Sequence, residues 1–373
     1  MVKENVTIVE VGSSKLKAVV AQMGVNGIFN IKARATIEYA GFFEGEFVEK
    51  ALLENVVKSL FAKLTSIYKQ PIKKIFVGVP AEFSQVKVTT EQTIFKRKRP
   101  ASERDLEELE NLASQKIDVD DMEILSINPI SFTLDDTRKT NRPFGIHADK
   151  MSVELSIVLA QEEFIQTFNK IWSSLGIEQV EYLSEPLCEA MVVLEKEERE
   201  RTCIVIDVGA RSTSVSFVKG DGISSLTSFS IGGSHITKDL SDAFELQYDD
   251  ARNLKKQIVL SLVGDNKDFY ELPVIGGRVA KIPLNGANEV VGYRIGTIAQ
   301  TVNECIRLFA SEYVPYYPIY LCGAGVSKIK GGKDYFSKCL GRNIAYGVPP
   351  IPAYDKPEFA STLGLVKVAL GDV

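Results

Sequence analysis

Apolar positions along this chain alternate in short runs, interrupted by longer stretches with helical spacing. Val6-Thr7-Ile8-Val9-Glu10-Val11 passes through Gly12-Ser13-Ser14 into Lys15-Leu16-Lys17-Ala18-Val19-Val20, which predicts two strands and a tight turn. A third strand is predicted over 28–36 and a turn between Gly41 and Gly45. Positions 47–68 predict a helix whose core stripe is Val48, Leu52, Val56, Leu60 and Leu64, stopped by Pro71. A buried strand follows over 74–80, and the order strands, helix, strand predicts an α/β layer. Between 81 and 151 the character changes. Strand-like alternation at 86–90 leads to the basic run Lys96-Arg97-Lys98-Arg99, read as a solvated loop or, alternatively, a patch for an acidic partner or membrane surface. A charged helix over 101–115 has start signals at Ser102 and Asp105, and strands are predicted over 123–134 and 152–159 around a polar loop at 135–143. This stretch predicts a small α+β module inserted between two pieces of the first domain.

Positions 161–175 predict a helix with Phe164, Phe168 and Trp172 on its core face. Pro186 suits a first helical turn, which puts Glu185 at a helix start within a mostly apolar segment. After a charged boundary, Cys203-Ile204-Val205-Ile206-Asp207-Val208, Gly209-Ala210-Arg211-Ser212 and Thr213-Ser214-Val215-Ser216-Phe217-Val218 repeat the strand–turn–strand design of the N-terminus. Glu10 corresponds to Asp207 and Gly12 to Gly209, which suggests a duplicated fold whose two turns face one cleft. A turn with free backbone N–H groups beside a carboxylate suits the phosphates and hydrated metal of a nucleotide; an ordinary hairpin with a polar tip is the plainer alternative. Gly232-Gly233 precede helices expected over 236–246 and 249–262, and 264–296 reads as loop with short strands. A helix over 297–309 presents Ile298, Val302, Ile306 and Phe309 on one face. A buried strand then ends in Gly323-Ala324-Gly325, before a proline-rich loop over 348–357 and an apolar segment over 359–370.

At 373 residues the chain needs more than one core. A net charge of −5 excludes a nucleic-acid binder by overall charge. Five cysteines without a C-x-x-C pair read as reduced thiols of a cytoplasmic protein. Two distant histidines exclude a histidine metal cluster, no apolar run reaches the length of a spanning helix, and the N-terminus lacks a signal peptide.

The ordered pieces, namely the Glu10 turn, Glu185-Pro186, the Asp207 turn, Gly232-Gly233 and the Gly323 turn, resemble the actin, Hsp70 and sugar-kinase ATPase superfamily. Val9–Lys15, Ile206–Gly209 and Ile231-Gly232-Gly233-Ser234-His235-Ile236-Thr237-Lys238-Asp239-Leu240 are most similar to the bacterial cell-division family FtsA, as are Ala251–Lys255, Leu321–Gly325 and Pro357–Leu365. The 81–151 insertion falls where that family carries its extra subdomain. The resemblance implies an actin-like duplicated α/β ATPase fold of two ribonuclease-H-like halves with an inserted α+β subdomain. The halves would be 1–80 with 152–200 and 201–229 with 297–373, the insert 81–151, and a further subdomain 230–296. It implies ATP and Mg²⁺ as cofactors. Gly12, Ser13, Ser14 and Lys15 would face the phosphates, with Gly209 and Ser212 opposite; Asp207 and Glu10 would hold magnesium through water; Glu185 would orient the attacking water; Gly232, Gly233, Lys255, Gly323 and Gly325 would hold adenosine. It further implies self-association into filaments that link FtsZ-type division filaments, other divisome partners and a peripheral membrane contact.

The chain departs from that pattern. Glu10 stands where Asp is usual, Asp207–Ser214 replaces D-I-G-G-G-T-T-D with Arg211 in a glycine position and Ser214 in an acidic one, Arg252 replaces Glu, and Ala324 replaces Gly. Slow ATP turnover is the expectation. The chain stops at Gly371-Asp372-Val373 without the family's basic amphipathic helix, so either that helix was cut away or this relative is soluble. Two alternatives stand beside the scaffold: an adaptor that binds nucleotide without turnover, and a small-molecule kinase, for which a base against an acceptor hydroxyl is wanting.

Overall fold

A computed structural model describes residues 5–24, 29–265, 267–274, 277–309 and 316–371. Ile28 of the expected third strand and the two chain ends lie outside them. The first sheet combines β1 (Asn5–Val11), β2 (Lys15–Met23), β3 (Phe29–Glu38), β6 (Lys74–Val79) and β11 (Gln179–Ser184) in the order β11-β6-β1-β2-β3. β1, β2 and β3 form an antiparallel meander, and β1, β6 and β11 pair in parallel. A tiny hairpin, β4 (Phe42–Phe43) with β5 (Glu46–Phe47), follows β3. The second large sheet has the same plan. β12 (Cys203–Val208), β13 (Thr213–Lys219) and β14 (Gly222–Phe229) are the meander, and β12 continues in parallel with β17 (Ile319–Cys322) and β18 (Ala345–Tyr346). The duplication expected from the two turns is therefore present in the strand order.

Each sheet buries one face under helices. α1 (Lys50–Tyr68) and α3 (Glu162–Ser174) cover the first, with Phe164, Phe168 and Trp172 fully within its core. Helix α1 starts three residues later than predicted and faces the core with Leu53, Val57, Leu60, Phe61 and Leu64; Val48 and Leu52 are exposed. α6 (Gly233–Ala243), α7 (Tyr248–Gln257), α8 (Leu284–Leu308) and α9 (Gly332–Leu340) pack on or beside the second sheet. The segment expected as loop between Gly264 and Gly296 holds the hairpin β15 (Phe269–Pro273) with β16 (Val279–Pro283) and the first half of α8. Phe309, assigned to the buried face of that helix, is exposed at its C-cap.

The insertion builds a sheet of its own in the order β7-β10-β8-β9, from β7 (Ser84–Pro100), β8 (Met122–Leu134), β9 (Arg138–Thr140) and β10 (His147–Gln161), covered by α2 (Glu103–Lys116). Ser102 and Asp105 form a capping box at the start of α2. The basic run lies at the end of strand β7, not in a loop. Its last member, Arg99, is committed to structure: it pairs with Asp105 and lies 3.9 Å over the Phe95 ring. The sheet also bonds to the second half, where Ser156 Oγ donates to Ile223 O at 2.6 Å and Asp221 N donates to Pro129 O at 3.0 Å.

Two helices close the centre. α4 (Glu185–Val193) is followed by the short α5 (Lys196–Arg199), and α10 (Ala360–Ala369) packs against α4 and β1. Among the described residues no helix is long and apolar enough to cross a membrane.

Candidate nucleotide site

Both hairpin turns close on themselves and point at each other. Gly12 N donates to Lys15 O at 3.0 Å and Gly209 N to Ser212 O at 2.9 Å, the same bond in each half. Between them lies a cavity of about 280 Å³ lined by Glu10, Gly12, Ser13, Ser14, Lys15, Glu185, Asp207, Gly209, Ser212 and Gly323. Ten of the residues picked out in the sequence thus meet in one place. Gly232, Gly233, Lys255 and Gly325 stand behind the second turn instead. Gly233 N donates to Gly209 O at 3.0 Å, Gly325 N to Val208 O at 2.7 Å, and Lys255 Nζ to Gly233 O at 2.6 Å. A Cβ on Gly233 would lie 2.6 Å from Gly325 Cα, so these glycines let three backbone segments touch.

The floor of the cavity is acidic. Strand β1 delivers Glu10, β12 delivers Asp207, and α4 delivers Glu185 and, one turn on, Glu189. Glu82, just past β6, joins from the side. Burial pushes the Glu185 carboxyl well above the usual range, and the neighbouring Glu10 and Asp207 charges add to it. Burial, then the charges of Glu10 and Glu82, raises Asp207 to about 7. Glu189 and Glu82 are raised as well, first by burial.

Lys17 counters this charge. Its ammonium donates to Glu10 Oε1 at 2.6 Å, and Thr362 Oγ1 donates to Glu10 Oε2. Burial disfavours the charged lysine, but attraction to Glu10, Glu185 and Asp207 outweighs it and leaves its pKa raised. Both Glu10 oxygens are therefore engaged, whereas Asp207 Oδ1 and Glu185 Oε2, like Glu82 Oε1 at the side, are buried with no hydrogen-bond partner among the described residues. Two buried, unpartnered carboxylate oxygens facing a cavity of about 280 Å³ fit a hydrated divalent cation held through its waters. Neither Lys17, Glu189 nor Thr362 was singled out in the sequence. Glu189 was findable as the residue four beyond Glu185 in the same helix, and Lys17 as the cross-strand partner of Glu10.

The mouth of the cavity is bridged by contacts between the halves. Arg211 N donates to Ser13 Oγ at 3.0 Å, and the Arg211 guanidinium donates to Ala40 O. Arg252 reaches Glu38 at 3.2 Å, and Glu38 also holds Lys15 at 3.1 Å. Glu44 N donates to Ser230 Oγ at 3.1 Å. Gly41, at φ +75°, lets this loop cross the first turn, because a Cβ there would lie 1.9 Å from Ser13 O. Arg211, partly exposed, thus fastens one half to the other.

With the duplicated sheets, the facing turns and the insert in view, comparison with known proteins shows what the chain resembles. A family model described as cell division protein FtsA matches residues 204–364, and a second, described as the SHS2 domain inserted in FtsA, matches 84–159. The chain is FtsA-like. The cell division protein FtsA of Bacillus subtilis (strain 168) is 20% identical over 366 residues, covering 96% of this chain and 82% of that protein. Among solved structures, a chain of a PilM–PilN type IV pilus biogenesis complex superposes with a TM-score of 0.64 at 19% identity, covering 99% of both chains. MreB 5 of Spiroplasma citri bound to AMPPNP superposes at 0.59 with 12% identity, covering 98% of this chain and 96% of that one. The fold of the FtsA-like chain is thus actin-like, with an inserted SHS2 domain.

Proposed function

We propose that this chain is an ATP-binding, actin-like scaffold of cell division that polymerises and ties FtsZ-type filaments to the membrane and to other division proteins, with slow ATP turnover. The observation that carries the reading is the pair of matching turns facing one acid-floored cavity. In this reading Ser13, Ser14 and Lys15 on one side and Gly209 and Ser212 on the other cradle the phosphates. Asp207 and Glu185 offer the open oxygens for hydrated magnesium, and Glu10 joins them once Lys17 turns toward phosphate. Magnesium, when bound, supplies charge neutralisation on the phosphates. In the same reading Glu185 would orient the attacking water. Gly232, Gly233, Lys255, Gly323 and Gly325 fix the backbone that shapes the adenosine end.

A second reading, an adaptor that binds nucleotide without turning it over, draws on the contacts Arg211 and Arg252 make across the mouth. These hold the halves together by protein bonds alone. The pilus protein of similar fold occurs in a complex with PilN, which fits an adaptor role for such a fold. Melting temperature with millimolar ATP, with and without Mg²⁺, tests the shared core of both readings. A ligand that binds only the folded chain at a hundred times its Kd adds about 2.7 kcal/mol, a shift of a few degrees. No shift in either condition overturns them. Phosphate release over hours then separates slow turnover from none.

A further inference from the structure

A second cavity, of about 320 Å³, opens behind the first, between β2, β3, α1 and the segment that leads into α10. Its floor is apolar: Val19, Ile31, Ala35 and Leu363. One wall carries the rings of Tyr354 and Phe359, edge to face at 5.3 Å. Three cations, Lys17, Arg34 and Lys63, stand around it, and no lining residue is acidic. Lys63 donates only to the Thr36 carbonyl, at 3.2 Å, and Arg34 has no carboxylate partner among the described residues. Lys17 and Thr362 form the partition between the cavities, since both line this one and both bond to Glu10 of the other.

We propose that this rear pocket receives an acidic peptide segment of a partner protein, with one apolar side chain on the floor and flanking carboxylates on Arg34, Lys63 and Lys17. An apolar floor does not suit inorganic phosphate, and two cations without a counter-acid, beside a third shared with Glu10, do not suit a neutral or basic peptide. The space takes one large side chain, and the aromatic wall favours Phe or Leu. A carboxylate that reaches Lys17 competes with Glu10 for the same ammonium. Occupation of the rear pocket therefore loosens the pair that saturates Glu10, and the nucleotide cleft reads the partner's arrival through one lysine.

The test uses the full chain and N-acetylated Asp-Phe-Asp amide, with Lys-Phe-Lys and Asp-Gly-Asp amides as controls, followed by NMR titration with and without ATP. Asp-Phe-Asp amide should bind saturably, tenfold or more tightly than either control, and more weakly as salt rises. The double variant Arg34→Ala with Lys63→Ala, both exposed positions, should melt close to wild type and bind the peptide at least tenfold more weakly. Equal binding of the three peptides, unchanged binding by the variant, or no saturation at millimolar peptide overturns the proposal. So does Arg34- and Lys63-dependent sedimentation with phosphatidylglycerol vesicles when the peptide does not bind, which would assign the pocket to a membrane. Binding without ATP is read independently, so failure of the nucleotide reading does not decide this one.

Discussion

Asp207 is a carboxylate whose surroundings disfavour its charge, and that has a sign that can be measured. Its pKa is raised from an ordinary 3.8 to about 7, so between those values the folded chain holds a proton that the unfolded chain has lost. Stability from this group is therefore greatest at low pH and falls as pH rises toward 7. The difference in melting temperature between wild type and Asp207→Asn should grow in the variant's favour from pH 5 to pH 8; a constant difference would refute the assignment. Binding of a cation needs the ionised form, so Mg²⁺-ATP affinity of wild type should rise with pH through 7, and that rise should be smaller in the variant, where Glu185 still titrates. Arg211 carries a second expectation. Its guanidinium bond to Ala40 O must break when the mouth opens, and a hydrogen bond to a charged group is worth about 1.5–3 kcal/mol. Stopped-flow association of a fluorescent ATP analogue should be several-fold faster in Arg211→Ala, and an unchanged or slower rate would remove the latch from the account. Glu10 and Asp207 were legible because each ends an apolar strand just before a glycine turn. Thr362 was not, because it reaches Glu10 from 352 residues away, and nothing local marks it.

At the scale of elements, the two hairpins were legible and the helices were legible with errors that have a geometric cause. A stripe drawn every four residues advances about 40° per step on a helix of roughly 3.6 residues per turn. The run from Val48 to Leu64 therefore spirals off the buried side: Val48 and Leu52 are exposed, Val56 packs at the edge of the core, and Leu60 and Leu64 lie on the face that Leu53, Val57 and Phe61 share. Helix α8 was half missed for another reason. Gly286, Gly292 and Gly296 dilute its first turns, yet Ala287, Val291 and Ile295 keep the helical spacing and are fully buried. Gly292 is small because Tyr335 crosses it, 2.7 Å from where a Cβ would stand. The same logic revises what a change at Gly233 would do. A bulky residue there meets the Gly325 backbone, so Gly233→Val should lower stability by about 1–3 kcal/mol in denaturant unfolding rather than only block a ligand. Wild-type stability with lost ATP binding would show that the backbone there can shift.

For the whole molecule, the question is which surface assembles. The insert was legible as a separate module, but not its attachment. β10 runs on to Gln161, and Ser156 and Pro129 bond to the second half, so removing 81–151 would cut a strand and strip contacts from β14. Assembly is better tested on the surface. Lys96, Arg97 and Lys98 are exposed at the end of β7, while Arg99 is held by Asp105 and does not belong to the patch. Three clustered cations without a partner on their own sheet should attract an acidic surface of a neighbouring copy, and surface charges of this kind change melting by little. The triple variant Lys96→Glu, Arg97→Glu, Lys98→Glu should therefore melt within a degree or two of wild type and bind ATP equally, yet fail to pellet with ATP and show no filaments by electron microscopy. Wild-type polymers should also weaken between 50 and 300 mM salt, over which the Debye length falls from about 14 to 6 Å. Filaments that persist in the triple variant would place the contact elsewhere, and a wild type that stays monomeric with and without ATP at low salt would leave the adaptor as the better description of this fold.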